Sequence, residues 1–231
     1  MAGRRASAPK CVASRLHHVA QPGSSAKGVA RREEILAAAF RVIAERGYRG
    51  STLRGIAREL GLEPAHVLYY FDSREDLLRE VIERWDADSA DLADTDDDAL
   101  GLYTAAIRRN LRIRGIVHLY LAFATEAVDA DHPAHAFFAE RFTRVTELLA
   151  TALRRGQSAG QIRSDVDPDR SARMLIALAD GLQLQALMDP TIDAPGDLEL
   201  AIGELEVSPR TAQRTRQVAG ESTTAQSIST N

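Results

Sequence analysis

Apolar positions recur at helical spacing along nearly the whole chain between residues 31 and 206. In residues 31–46, Ile35, Leu36, Ala39, Phe40 and Ile43 share one face, charged residues take the other, and Gly47 stands where the helix would end. After the turn Tyr48-Arg49-Gly50, Ser51 or Thr52 can cap a short second helix whose inward face is Leu53, Ile56, Ala57 and Leu60, with Gly61 as its stop. Pro64 opens a third helix running to Phe71, because the N–H it lacks is one that a helix start leaves unbonded in any case. Asp72 and Ser73 then cap a fourth, which buries Leu77, Leu78, Val81, Ile82 and Trp85.

The run from Asp86 to Asp98 is acidic and weakly periodic, marking a domain boundary into which the fourth helix can project. Beyond it, Leu100, Tyr103, Ile107 and Leu111 define an amphipathic helix, and residues 116–128 are apolar nearly all round, as in a helix at the middle of a bundle. Phe137, Phe138, Phe142, Val145, Leu148, Leu149, Ala152 and Leu153 carry a long helix to Gly156. Asp167 and Pro168 supply the cap and first residue of a helix through Leu175, Leu178, Leu182 and Ala186 to Asp189-Pro190, and a weaker one lies around 197–206. No stretch sustains strand alternation, so the pattern predicts an all-α fold. Its parts are a disordered basic arm over 1–30, a helical domain over 31–85, a second over 86–206, and a disordered tail rich in Ser, Thr and Gln over 207–231.

Charge adds an asymmetry that the net value of −4 conceals. Residues 1–32 carry seven Lys or Arg and no acid, residues 33–85 eight basic and ten acidic side chains, and residues 86–231 fourteen and twenty-three. A basic arm, a near-neutral module and an acidic remainder suit a protein that turns one end toward phosphate, although a solvated tail would look the same. With 27% charged residues and no apolar run near the roughly 20 residues a spanning helix needs, no membrane span is expected. The lone Cys11 allows neither an internal disulfide nor a cysteine metal cluster, and no apolar core of a secretory signal follows the N-terminal charges, so the cytoplasm is expected.

The span 52–71 has the layout of a helix-turn-helix: a helix of about eight residues, a glycine-containing turn and a second short helix. Gly61 permits the bend, the small Ala57 allows close approach, and Ile56 and Leu60 can pack on Val67 and Phe71. Two helices this short cannot bury themselves, so the first and fourth must complete the core, leaving the second of the pair to enter a major groove.

Thr52-Leu-Arg-Gly-Ile-Ala-Arg-Glu-Leu-Gly61-Leu, followed by Leu68-Tyr-Tyr-Phe71-Asp-Ser-Arg-Glu-Asp-Leu-Leu78, resembles the N-terminal signature of the TetR family of transcriptional regulators over about residues 31–78. Gly160-Gln-Ile-Arg-Ser-Asp-Val-Asp-Pro168 and Ala179-Asp-Gly-Leu182 through Asp189-Pro190 are similar, more loosely, to the ligand domain of choline-responsive repressors. The resemblance implies that Thr52, Tyr70 and Arg74 contact phosphate while Ala65, His66 and Tyr69 face bases. His66 stands where Thr or Ser is common, Leu68 where an aromatic is common, and Glu63 where a better capping residue is expected. These departures bear on the operator sequence.

A dimeric repressor of double-stranded operator DNA, released by a small-molecule inducer or obeying a co-repressor, is therefore expected. Trp85, Tyr103, Ile107, Tyr120, Phe123, Glu126, Phe138 and Gln183 are candidate ligand contacts, with Asp180 as a further polar anchor; a packed core would use the same aromatics. Leu175, Leu178 and Leu182 are candidate dimer contacts, or else an intrachain core face. Of the histidines, only the pair His132 and His135 has a ligand-like spacing, it spans Pro133, and no cysteine supports it, so no metal or cofactor is expected. A helical enzyme would need a nucleophile with its base, paired carboxylates or a metal cluster, none of which stands out. A helical adaptor would not require the 52–78 pattern. An activator of the same family would have the same sequence features.

Overall fold

The computed structural model describes residues 26–90 and 98–207, so most of the expected basic arm, the middle of the acidic boundary run and nearly all of the expected tail lie outside the described residues. Nine helices follow one another among the described residues: α1 (Ala26–Gly50), α2 (Leu53–Glu59), α3 (Pro64–Leu68), α4 (Arg74–Ala90), α5 (Ala99–Leu111), α6 (Arg114–Glu126), α7 (His135–Ser158), α8 (Pro168–Met188) and α9 (Ala194–Gly203). The only extended pairing among them is an isolated antiparallel bridge between Ile162 and Glu206, which fastens the segment after α9 to the turn after α7.

Most predicted boundaries hold, with physical reasons where they shift. α1 begins at Ala26, inside the span expected to lack structure, and it is broken at Gly47 (φ 69°) before a last turn through Gly50. The cap of α2 is Thr52, whose hydroxyl accepts from Gly55 N at 3.0 Å. α3 ends at Leu68 rather than Phe71, because residues 69–71 turn away to bury Phe71. α4 runs through the expected boundary at residue 86 without interruption.

Two hydrophobic cores form, and they do not divide at that boundary. The first joins Ile35, Val42, Ile56, Val67, Phe71, Leu77 and Leu78 of α1–α4 to Ile116, Leu119, Tyr120 and Phe123 of α6 and Phe138 of α7. The second joins Ile107 of α5, Leu149 and Leu153 of α7, Leu175 and Leu182 of α8, and Leu198 of α9. Gly115 makes the first arrangement possible. A Cβ at that position would lie 2.0 Å from the Ile43 carbonyl oxygen, so only glycine lets the start of α6 meet the backbone of α1.

Candidate nucleic-acid interface and effector core

The helix-turn-helix is held from behind and open in front. Gly61, at φ 63°, makes the turn between α2 and α3 in a conformation that costs glycine little. Ile56, Ala57 and Val67 are fully buried against α1 and α4. Arg32 of α1 forks onto the carboxylate of Glu80 in α4, lies 4.5 Å from the ring centre of Phe71 and donates to the Tyr70 carbonyl at 3.4 Å. One guanidinium thus fixes the end of the short α3 between two longer helices. Sequence reasoning did not single out Arg32, since its signal is a cation at the start of a helix whose partner lies 48 residues away.

Ala65, His66, Leu68 and Tyr69 form the exposed front of α3, with Tyr69 58% exposed. The Tyr69 and Tyr70 rings meet edge to face at 5.1 Å. Beside them runs a groove of about 470 Å³ lined by Lys27, Gly28, Ala30 and Arg31 of α1, with Glu34. Arg54 and Arg58 add cations on the outer face of α2. Glu63 caps α3 without a side-chain hydrogen bond.

Arg74, a phosphate contact by the resemblance, also makes contacts within the motif. Its Nε donates to the Ser51 carbonyl at 3.0 Å and its guanidinium lies 5.0 Å from the ring centre of Tyr48. The side chain is turned inward, onto the residue preceding the Thr52 cap, because the start of α4 packs against the α1–α2 turn. It braces the helix-turn-helix, and its Nη1 donates to the neighbouring Glu75 carboxylate at 3.4 Å.

The expected ligand residues fall into two groups, with three standing apart. Tyr120, Phe123 and Phe138 pack in the first core, with Phe123 and Phe138 edge to face at 5.6 Å. Tyr103 packs on the second core, to which buried Ile107 belongs. Between the cores sits a polar cluster drawn from five helices. The Tyr120 hydroxyl donates to Asp180 at 3.3 Å, Arg141 lies 4.6 Å from the ring centre of Tyr120, and Arg141 donates to both carboxylate oxygens of Asp86 at 2.7 and 3.1 Å. Burial raises the Tyr103 and Tyr120 phenols and pushes Asp180 up to about 6. Burial works against the charge of Arg141, but pairing with Asp86 outweighs it and holds the guanidinium protonated.

Trp85 stands at the edge of this region and joins α4 to α1 and α5. It stacks on Phe40 at 5.2 Å, donates its indole N–H to Asn110 at 2.7 Å and lies 3.8 Å beneath Arg109. Gln183 is buried and donates to the Ala179 carbonyl of its own helix. Glu126 is no part of the bundle interior: it is exposed at the end of α6 and accepts a hydrogen bond from the Tyr48 hydroxyl. The run around it is apolar on nearly every face, so the sequence offered no inward side on which to place it, and α6 ends at this residue. A separate hollow of about 1080 Å³ lies between α5, α7 and α9, lined by Thr104, Arg155, Ile162 and Glu199 among others.

The expected dimer stripe also divides. Leu175 and Leu182 are buried within the chain's own second core, facing α5 and α7, and of the three only Leu178 reaches the surface. The exposed apolar side chains of this region are Met174, Leu178, Leu184 and Met188 on α8 with Phe142 and Leu148 on α7. Their spacing along α8 describes the face opposite the buried one. The imidazoles of His132 and His135 bond to the Ala134 N–H and the Ala127 carbonyl. No group of three or more metal-ligating side chains gathers among the described residues.

Comparison with known proteins agrees with this geometry. The family profile of bacterial regulatory proteins of the tetR family matches residues 35–81, and that of the C-terminal domain of BetI-type transcriptional repressors matches residues 97–204. The transcriptional repressor KstR2 of Rhodococcus jostii is 30% identical over 161 residues, covering 63% of this chain and 74% of that protein. The regulator BetI of Rhizobium meliloti is 30% identical over 186 residues, covering 76% and 86%. A regulator from Saccharomonospora viridis, solved in complex with choline, superposes with a TM-score of 0.65 at 28% identity, covering 78% of this chain and 99% of that one. The chain belongs to the TetR family and is a helix-turn-helix transcriptional regulator with a BetI-type C-terminal ligand-binding domain.

Proposed function

We propose that this regulator is a cytoplasmic homodimer that represses transcription by holding a palindromic operator and lets go when a small ligand enters its C-terminal bundle. The observation that carries the reading is the exposed front of α3 beside a cationic groove. A five-residue helix has no stability of its own, yet Arg32 and Phe71 hold this one rigidly with Ala65, His66 and Tyr69 outward. These three face base edges. Thr52 and Tyr70, together with Lys27, Arg31 and Arg54, meet phosphates on either side.

Two recognition helices read half-sites about one helical turn apart only if a two-fold axis relates them. The apolar face of α8 and its neighbours on α7 supply the surface for that axis, since exposed Met174, Leu178 and Met188 favour burial against a second copy. The relatives are transcriptional regulators rather than enzymes, and this chain acts by binding. The choline-bound neighbour supports a small ligand in the domain that carries Tyr103, Tyr120 and Asp180. Among the described residues no helix is long and apolar enough to cross a membrane.

Footprinting of the full chain on DNA flanking its own gene tests the reading. Protection of a symmetric site that weakens steeply with added salt is the expected result. Retention that is indifferent to sequence would count against it.

A further inference from the structure

The front of α3 is poor in the side chains that read base edges through paired hydrogen bonds. From Pro64 to Tyr69 there is no Arg, Lys, Asn, Gln, Asp or Glu. Arg or Lys reads guanine bidentately and Asn or Gln reads adenine so, which leaves this helix with neither device. Its outward polar groups are the His66 imidazole and the Tyr69 hydroxyl, and the rest of its exposed side is Ala65 and Leu68. Leu68 is 45% exposed and belongs to neither hydrophobic core.

Leu68 has no freedom to turn away from water. Val67 before it and Phe71 three residues after it are buried, so the inward side of the helix is already taken. Arg32 holds that side in place, 4.5 Å from the Phe71 ring centre and bonded to the Tyr70 carbonyl and to Glu80. A four-carbon apolar side chain is thereby fixed outward on the surface that meets DNA.

Resting on the reading that the front of α3 enters the major groove, we propose that Leu68 is a specificity residue that recognises thymine by packing on its C5 methyl group. Each half-site then carries one thymine that neither cytosine nor uracil can replace without loss.

The chemistry of the groove singles out this base. Among the four bases, only thymine presents an apolar group on its major-groove edge, and apolar side chains contact it there. Leucine has no donor or acceptor. Over adenine, guanine or cytosine it would cover hydrogen-bonding groups and give them no partner in exchange. Over thymine it removes its own methyls and that of the base from water together. Ala65 shares the helix face three residues earlier, about 4.5 Å away along the axis, and base pairs stack about 3.4 Å apart. The two apolar side chains therefore face neighbouring base pairs, while His66 and Tyr69 supply hydrogen bonds to the positions beside them. An aromatic residue is common at position 68 in the family signature, so the leucine gives this chain a preference of its own.

The test uses the full-length protein and the duplex it selects from a random-sequence library. Each thymine of the half-site is replaced in turn by deoxyuridine, which removes the C5 methyl and keeps every hydrogen-bonding group. One position should lose about fourfold in affinity per half-site, the effect of withdrawing one methyl from an apolar contact. Leu68→Ala, with its fold checked by circular dichroism, should bind thymine and uracil equally at that position and keep the wild-type response at every other. Leu68→Met, which preserves an apolar side chain of similar volume, should retain the preference. Uracil that costs nothing at every position, or a loss that persists unchanged in Leu68→Ala, would overturn the assignment. A wild type that selects no sequence at all would instead overturn readout by α3, and that result is obtained before any base is modified.

Discussion

Glu126, in the last turn of α6, accepts a 2.5 Å hydrogen bond from the hydroxyl of Tyr48, which lies 78 residues earlier and packs beneath Arg74. The contact links the C-terminal domain to the turn that sets the Thr52 cap, by a route separate from α4. Burial and this hydrogen bond raise the Tyr48 phenol. Tyr48→Phe should cost about 0.5–1.5 kcal/mol of stability, the usual net value of one hydrogen bond, while leaving the fold intact. Chemical denaturation of the variant beside Glu126→Gln checks it. Equal losses that do not add in the double variant identify the two as partners.

Arg74 gives a sharper contrast, because a positioning residue and a phosphate contact fail differently. Arg74→Ala should lower operator affinity and thermal stability together, yet leave the slope of log affinity against log salt unchanged. Loss of a phosphate contact would reduce that slope by about one. Lys27→Ala is the reference for the second behaviour. A reduced slope for Arg74→Ala with unaltered stability would assign it the phosphate role instead.

On α8, neighbouring leucines should separate core from interface. Leu175→Ala, within the second core, should cost about 2–5 kcal/mol, as large-to-small substitutions in packed interiors do. Leu178→Glu, on the exposed face, should leave the monomer folded and dissociate the dimer in sedimentation. A folded, dimeric Leu178→Glu protein would remove α8 from the interface.

The pH response follows from Asp180, whose carboxyl burial pushes up to about 6 from an ordinary value near 4. The charged and titratable groups around it are Tyr103 of α5, Tyr120 of α6 and Arg141 of α7, with Asp86 of α4 behind Arg141. Between about pH 4 and 6 the native state holds a proton that the unfolded chain has released, so this group's contribution falls as pH rises through that window. Thermal midpoints of wild type minus those of Asp180→Asn should therefore decline from pH 4 to 7. A flat difference would show that Asp180 titrates normally.

The elements were legible in the sequence because caps and stops are local: Thr52 before α2, Pro64 at the start of α3, and Asp167 with Pro168 at α8. The outward residues of α3 were legible through the family signature, which covers contiguous positions. What escaped depends on partners far apart in the chain. Arg32 reaches Glu80, Arg141 reaches Asp86 and Glu126 reaches Tyr48, and no spacing rule joins such pairs. Leu175 and Leu178 share one apolar stripe, but their separation into core and surface is set by where α5 and α7 pack. The early end of α3 likewise follows from the burial of Phe71, a tertiary contact.

Readout by the front of α3 is the central claim, and selection of duplexes from a random-sequence library by the full-length protein tests it most directly. The account predicts enrichment of an inverted repeat with half-sites about one helical turn apart. His66→Ala or Tyr69→Ala should then shift the preferred base at particular positions, each worth about 1–3 kcal/mol of discrimination. Enrichment of no sequence, or of an unsymmetrical site that both variants select unchanged, would contradict it.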